Sequence, residues 1–190
     1  LGGAARGASF QVSPTRFEFS LERRFTNFFA VTNNSADELR LRITTAYLDP
    51  GEQGQLRERS GQPYDLSGWI VLNPRRLNLG PSEKRVVRFS VRPPPGLAPG
   101  EYRAVVFFEE LPGRPDEPTQ QGAGLHIQIL TRLGVTIYGR IGEPTAEVRL
   151  ESPQAAVAAD GVHFKATALN AGTAHATLDV AARLVGLDDK

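Results

Sequence analysis

The chain of 190 residues is 40% apolar and 23% charged, with 19 Gly and 14 Pro, too apolar for a disordered protein and too interrupted for a helical bundle. Its 22 Lys and Arg against 21 Asp and Glu leave a net charge of +1, so no overall field draws it to nucleic acid, a membrane surface or an acidic substrate. Cysteine is absent, which removes disulfides, thiolate nucleophiles and cysteine-bearing zinc sites together.

Methionine is absent as well, and the small residues from Leu1 to Ser9 read as the remnant of an export signal. Residues 1–8 are therefore expected to be a signal-peptide remnant or a disordered start; the alternative is residual vector sequence before a cytosolic domain. No apolar run approaches about 18 residues, so no membrane-spanning helix is expected.

Period two dominates from Phe10 onward. Phe10, Val12, Phe17 and Phe19 alternate with polar neighbours around Ser13 and Pro14, which predicts a strand interrupted at a sheet edge, where a missing N–H is tolerated. Phe25 to Val31 predicts a second strand, closed by Asn33, Asn34 and Ser35. Leu39 to Tyr47 alternates and stops at the turn signal Asp49, Pro50, Gly51. Glu52 to Ser67 reads as a loop or a ragged edge hairpin.

Trp69 to Leu72 predicts the next strand, with Arg75 to Leu79, Pro81 and Ser82 connecting it to Val86–Val91. The run Pro93 to Pro95 ends that strand, because three successive residues lack a donor. Tyr102 to Phe108 is almost continuously apolar and belongs in the middle of a sheet. Glu109 to Gln121 reads as a loop. From Leu125 to Ile137 every odd position is apolar or threonine, the longest alternation in the chain.

Seven or so short strands without sustained helical period predict an all-β, immunoglobulin-like β-sandwich over residues 9–140, with Val31, Trp69, Phe89 and Val105 among its inward-facing side chains. Beyond the break at Gly139 to Pro144, residues 145–190 predict a partial second β-sandwich domain with strands at Ala146–Leu150, Val162–Ala166 and Ala176–Ala182. These residues are too few to close a sandwich, so further strands or a partner are expected to complete it.

Catalytic patterns are missing. His126, His163 and His175 share no metal-ligand spacing and read as surface or strand histidines. Glu109 and Glu110 are adjacent, so on a strand they point to opposite faces and cannot share a substrate. There is no GxSxG and no phosphate loop, and the glycines at 122 and 124 precede a strand rather than a helix. Neither enzyme activity nor any metal or cofactor is expected. Arg23 with Arg24 and Arg75 with Arg76 are interleaved with acids, so no nucleic-acid partner is expected either. Trp69 and Tyr102 are the aromatic platforms that a carbohydrate-binding sandwich would use, although Trp69 reads better as core.

The odd face of Leu125–Ile137 covers about 43 Å at about 3.3 Å per residue, longer than a sandwich of this size needs. It is either one long buried strand or a strand with a protruding apolar face, which strand addition to a partner would use.

The order of several segments resembles the periplasmic pilus-assembly chaperones of the chaperone–usher pathway. The matching pieces are Val-Ser-Pro-Thr-Arg at 12–16, Val-Thr-Asn-Asn at 31–34, Trp-Ile-Val-Leu-Asn-Pro at 69–74, Arg76 to Arg85, Gly100 to Ala104, and the alternating strand into Ile137 and Tyr138. Ala-Leu-Asn-Ala-Gly-Thr-Ala-His at 168–175 is similar to the start of that family's second domain. The resemblance implies an exported protein of the periplasm or cell surface, peripheral to a membrane at most. Its partners would be protein subunits of a pilus or surface assembly, bound by strand addition, with no small-molecule substrate. It implies a lending face at Leu125, Ile127 and Ile129, continued by Thr131 and Leu133, and a carboxylate anchor at Arg16. The family's anchoring lysine falls on Gly134, and Arg132, two residues earlier on the same face, is the candidate substitute. The alternative is a permanent structural component of an envelope or pilus assembly.

Overall fold

A computed structural model describes residues 9–50, 56–59, 62–112, 129–181 and 183. Ten strands build two sheets. The first sheet runs β1 (Phe10–Ser13), β3 (Phe25–Asn33), β8 (Lys84–Val91), β6 (Ile70–Asn73). The second runs β2 (Arg16–Ser20), β10 (Arg132–Ile141), β9 (Gly100–Glu110), β4 (Leu39–Pro50), β5 (Leu56–Arg59), with β7 (Arg76–Leu79) also paired to β4. Among the described residues the only helical turn is a short 3-10 segment at Ser67–Trp69. The protein is an all-β, immunoglobulin-like sandwich.

The interruption at Ser13–Pro14 carries the chain from one sheet to the other. β1 pairs antiparallel with β3, and β2 pairs in parallel with β10, so the two halves of one alternating segment form an edge of each sheet. Between the sheets lies an aromatic cluster. Phe17 of β2 and Phe108 of β9 meet Phe29 and Phe89 of the facing sheet at ring-centroid distances of 4.9 to 5.4 Å, and Phe29 and Phe89 stack on each other at 4.7 Å. Leu39, Leu41, Ile43, Val87, Val91, Val135 and Ile137 complete the core, each supplied by the period-two pattern of its strand.

Three sequence expectations change. The first concerns residues 76–79, which form a strand rather than a connector, because Leu77 and Leu79 alternate and are buried against β4. Val105 is buried but faces away from the core. Its neighbours Tyr102, Ala104, Val106 and Phe108 point inward, while Val105 and Phe107 lie on the outer face of β9, where the Arg132 guanidinium covers the Phe107 ring. Trp69 is partly buried at the rim of the core, its ring 5.3 Å from Tyr102. The third concerns the C-terminal part, where β11 (Val148–Ala158) and β12 (Gly161–Asn170) form one hairpin. Residues 176–181 are not a strand, since among the described residues no strand pairs with that alternation.

That hairpin is amphipathic by virtue of a bulge. Val148 and Leu150 are even-numbered and Ala155 and Val157 odd-numbered, so an uninterrupted strand would put them on opposite faces. The register shift between Glu151 and Gln154 realigns them with Val162, Phe164, Ala166 and Ala168 on a single apolar, exposed face.

Candidate partner-binding site

Of the residues singled out by sequence, Arg16 lies in β2 at the edge of the second sheet, and Arg132 and Leu133 lie in the neighbouring β10. Leu125 and Ile127 lie outside the described residues. Ile129 is 84% exposed, whereas Leu133, on the same alternation, packs against the sandwich core beside Val135 and Ile137. Leu133 is thus partly buried against the core, and β10 begins at Arg132 rather than running unbroken through Ile129 and Thr131. The reason is the partner strand. β9 ends at Glu110, and beyond the pair Arg132 with Glu109 one further rung is seen among the described residues, from the Glu110 N–H to the Thr131 carbonyl at 2.9 Å. The Glu110 carboxylate accepts from the Thr131 N–H and the Ser9 hydroxyl, which fixes where the chain leaves the sheet.

Arg132 is held away from any anchor. Its guanidinium meets Glu58 at 2.5 Å and Glu109 at 2.8 Å, and it lies 3.6 Å from the centre of the Phe107 ring. Arg16 stands opposite Thr136, four positions along β10, so the structure does not bring Arg132 and Arg16 together.

Gly134 faces Phe107 across the ladder. A Cβ there would lie 2.9 Å from Val105 Cγ1 and 3.2 Å from Phe107 Cε1. The outer apolar pair thus occupies the space that a lysine would need. Gly134→Lys is expected to lower the unfolding free energy by about 1–3 kcal/mol through overpacking, as read by urea denaturation. An unchanged midpoint would show that Val105 and Phe107 yield freely.

Around Arg16 the structure assembles a group that the sequence reading missed. Arg16 Nε pairs with Glu18 at 2.7 Å, its guanidinium lies 4.9 Å from the centre of the Tyr138 ring, and its other end reaches His175 Nε2. The His175 ring stacks on Tyr138 at 4.0 Å. Glu101 is 6% exposed; one carboxylate oxygen faces His175 Nδ1 at 2.6 Å and accepts the His175 backbone N–H at 3.0 Å, while the other accepts from Arg140 Nε at 3.0 Å. Arg140 also meets Glu18 at 3.0 Å. Burial pushes the Glu101 carboxyl upward, but the hydrogen bonds from His175 and Arg140 outweigh it and hold the group below the ordinary glutamate range.

The segment that presents His175 follows β12. The Thr145 carbonyl accepts the N–H groups of Thr173 and Ala174, and Asn170 bonds to Glu147, Gly172 and Ala174. Gly172 is required by close approach, since a Cβ would fall on the Thr145 carbonyl oxygen. Residues 16, 101, 140 and 175 are too far apart in sequence for spacing to join them. The one local hint is the loop-forming Asn170-Ala-Gly172, which sets the chain direction just before His175.

Among the described residues, no three His, Asp or Glu side chains gather as a metal-binding group, and no helix is long and apolar enough to cross a membrane.

No family model and no curated protein matches the sequence. Solved structures do. A chain of the chaperone–tip adhesin complex of CFA/I fimbriae biogenesis is similar with a TM-score of 0.55 at 16% identity, over 87% of this chain and 68% of that one. The class 5 fimbriae chaperone CfaA is similar with a TM-score of 0.53 at 15% identity, over 86% of this chain and 67% of its own. A chain of the Salmonella enterica SafA pilin–SafB chaperone complex reaches 0.52 at 11% identity, over 90% and 87%. At these identities the likeness concerns architecture, and the chain has the PapD-like β fold of the fimbrial chaperones.

Proposed function

We propose that this protein is an exported, non-enzymatic chaperone or adaptor that captures subunits of a pilus or surface assembly by β-strand addition. Residues 9–140 serve as its first domain, and residues 145–190 contribute to a second. Leu125, Ile127 and Ile129 lend apolar side chains to the subunit, Thr131 marks the root of the lent segment, and Arg16 holds the subunit's terminal carboxylate. The observation that carries this reading is the exposed Ile129, which continues beyond the sandwich the same alternation that packs against the core at Leu133 and enters it at Val135 and Ile137. The likeness to fimbrial chaperones supports it at the level of fold.

Replacing Leu125, Ile127 and Ile129 together by Asn tests the lending face. Each buried side chain contributes about 1.5–3 kcal/mol less its ordering cost, so capture of pilin-like subunits is expected to weaken by orders of magnitude. The melting temperature should hold, and a large fall in it would instead place these residues in the core. Arg16→Ala is expected to weaken capture with the fold intact. The exposed apolar face of β11 and β12 favours the alternative, a permanent structural component held by static interfaces. Assembly that tolerates both changes would establish that alternative.

A further inference from the structure

The outer face of the second sheet carries an excess of positive charge where β7 pairs with β4. Leu77 and Leu79 of β7 and Leu39 and Leu41 of β4 are buried, so alternation turns Arg76 and Asn78, and Arg40 and Arg42, to the outside. The ladder sets Arg40 opposite Asn78 and Arg42 opposite Arg76. Two guanidinium groups on one rung repel each other, and such a pair weakens a sheet.

Neighbouring acids relieve part of this charge. Glu109 meets Arg42 at 2.9 Å and Arg132 at 2.8 Å, and Glu58 meets Arg132 at 2.5 Å, so these carboxylates and arginines balance. Glu110, the next acid along β9, accepts from Ser9 and Thr131 instead. Among the described residues no carboxylate pairs with Arg40 or Arg76, and the Asn78 amide has no hydrogen-bond partner. The half-buried Arg40 reaches the Pro112 carbonyl in a long contact of 3.5 Å. Both uncompensated arginines line one cavity of about 420 Å³, together with Asn78, Leu41 and Leu111.

We propose that this cavity binds a phosphate monoester. The side chains of Arg40, Arg76 and Asn78 supply N–H donors and the lining holds no carboxylate, so the ligand is an anion rich in acceptor oxygens. A phosphate monoester carries about −1.5 to −2 charge near pH 7 and three acceptor oxygens, which match two unpaired guanidinium groups. A carboxylate brings one charge and two oxygens, and leaves one arginine uncompensated. The volume lies within the range of small-molecule sites, about 300–1,000 Å³, and exceeds what a bare phosphate needs. The organic part of the ester takes the remainder, against the apolar side of Leu111. β9 and β10 separate this site from Arg16 on β2, so it is independent of the proposed carboxylate anchor.

A soluble phosphate ester and the headgroup of phosphatidic acid share this chemistry, and the test separates them. In calorimetric titrations of the full chain at about 0.1 M salt, phenyl phosphate is expected to bind once per chain and benzoate more weakly. Arg40→Gln and Arg76→Gln are each expected to weaken phenyl phosphate about 10- to 100-fold with the melting temperature unchanged. Asn78→Asp, at an exposed position of the same lining, is expected to abolish binding and serves if an arginine variant folds poorly. Arg75→Gln removes an equal charge outside the lining and is expected to leave the affinity unchanged. Co-sedimentation with phosphatidylcholine vesicles, with and without phosphatidic acid, decides the source. Binding to the acidic vesicles that is lost in the Arg40 and Arg76 variants, with phenyl phosphate inert, would assign the lipid headgroup. Benzoate binding as tightly as phenyl phosphate would overturn the proposal. So would binding of neither ester nor vesicle, binding that survives both arginine changes, or an equal loss in Arg75→Gln.

Discussion

Phe89→Ala is expected to lower the unfolding free energy by about 3–5 kcal/mol, the range for removing a large aromatic side chain from a packed core. Phe89 is 1% exposed and touches rings from both sheets, with centroids at 4.9 Å to Phe17, 4.7 Å to Phe29 and 6.0 Å to Phe25. The cavity cannot close by movement of one sheet alone, because Phe17 belongs to β2 and Phe29 to β3. A domain of this size has about 5–15 kcal/mol in total, so a large part of its stability would be lost. Urea unfolding followed by the fluorescence of Trp69, which packs at the rim of the same core, reads the change. Phe28, one position before Phe29 and half exposed on the outer face of β3, provides the control. Its replacement by alanine is expected to stay within about 0.5 kcal/mol, and comparable losses at the two sites would contradict the assignment of faces.

Asn33→Ala is expected to cost about 3 kcal/mol without removing any apolar contact. The Asn33 amide is 1% exposed at the end of β3. Its nitrogen donates to the carbonyls of Asp37 at 2.8 Å and Gly80 at 2.9 Å, and its oxygen accepts from the Ser35 N–H at 2.9 Å and hydroxyl at 2.7 Å. One side chain thus ties the turn after β3 to the turn before β8. Each bond contributes about 1 kcal/mol net, and the carbonyls left behind lose a partner in a place that water reaches poorly. The neighbouring Asn34 is exposed, and Asn34→Ala should be close to neutral. Faster hydrogen exchange at Ser35 in the Asn33 variant, with the rest of β3 protected, would locate the damage; a melting temperature equal to wild type would refute the role.

What the sequence made legible follows from period two. Where one face of a strand is buried and the other solvated, as in β3, β4 and β8, alternation gives both the element and its inward residues. β9 is buried on both faces, so its apolar run reveals a central strand but carries no parity, and Val105 lands on the outer side. The Leu125–Ile137 alternation exceeds the strand because alternation records side-chain pattern, whereas a ladder also needs a neighbour, and β9 stops at Glu110. The Arg16, Glu101, Arg140 and His175 cluster depends on β2 and β9 flanking β10 and on a loop after β12. Isolated charged residues hold no record of such neighbours until the sheets are assembled.

The parallel pairing of β2 with β10 makes the order in which the chain becomes available a physical variable. Arg16 finds its rung at Thr136 and Ser20 at Arg140, so β2 must wait for about 120 further residues before its edge can close. At about 5–20 residues per second of synthesis that delay is about 6–24 s, far longer than hairpins such as β11 and β12 need to form. Throughout it Phe17, which ends as a central member of the aromatic cluster, has no sheet to enter. The interval in which the nascent protein is open to mispairing is therefore set by chain delivery rather than by the stability of the finished sandwich.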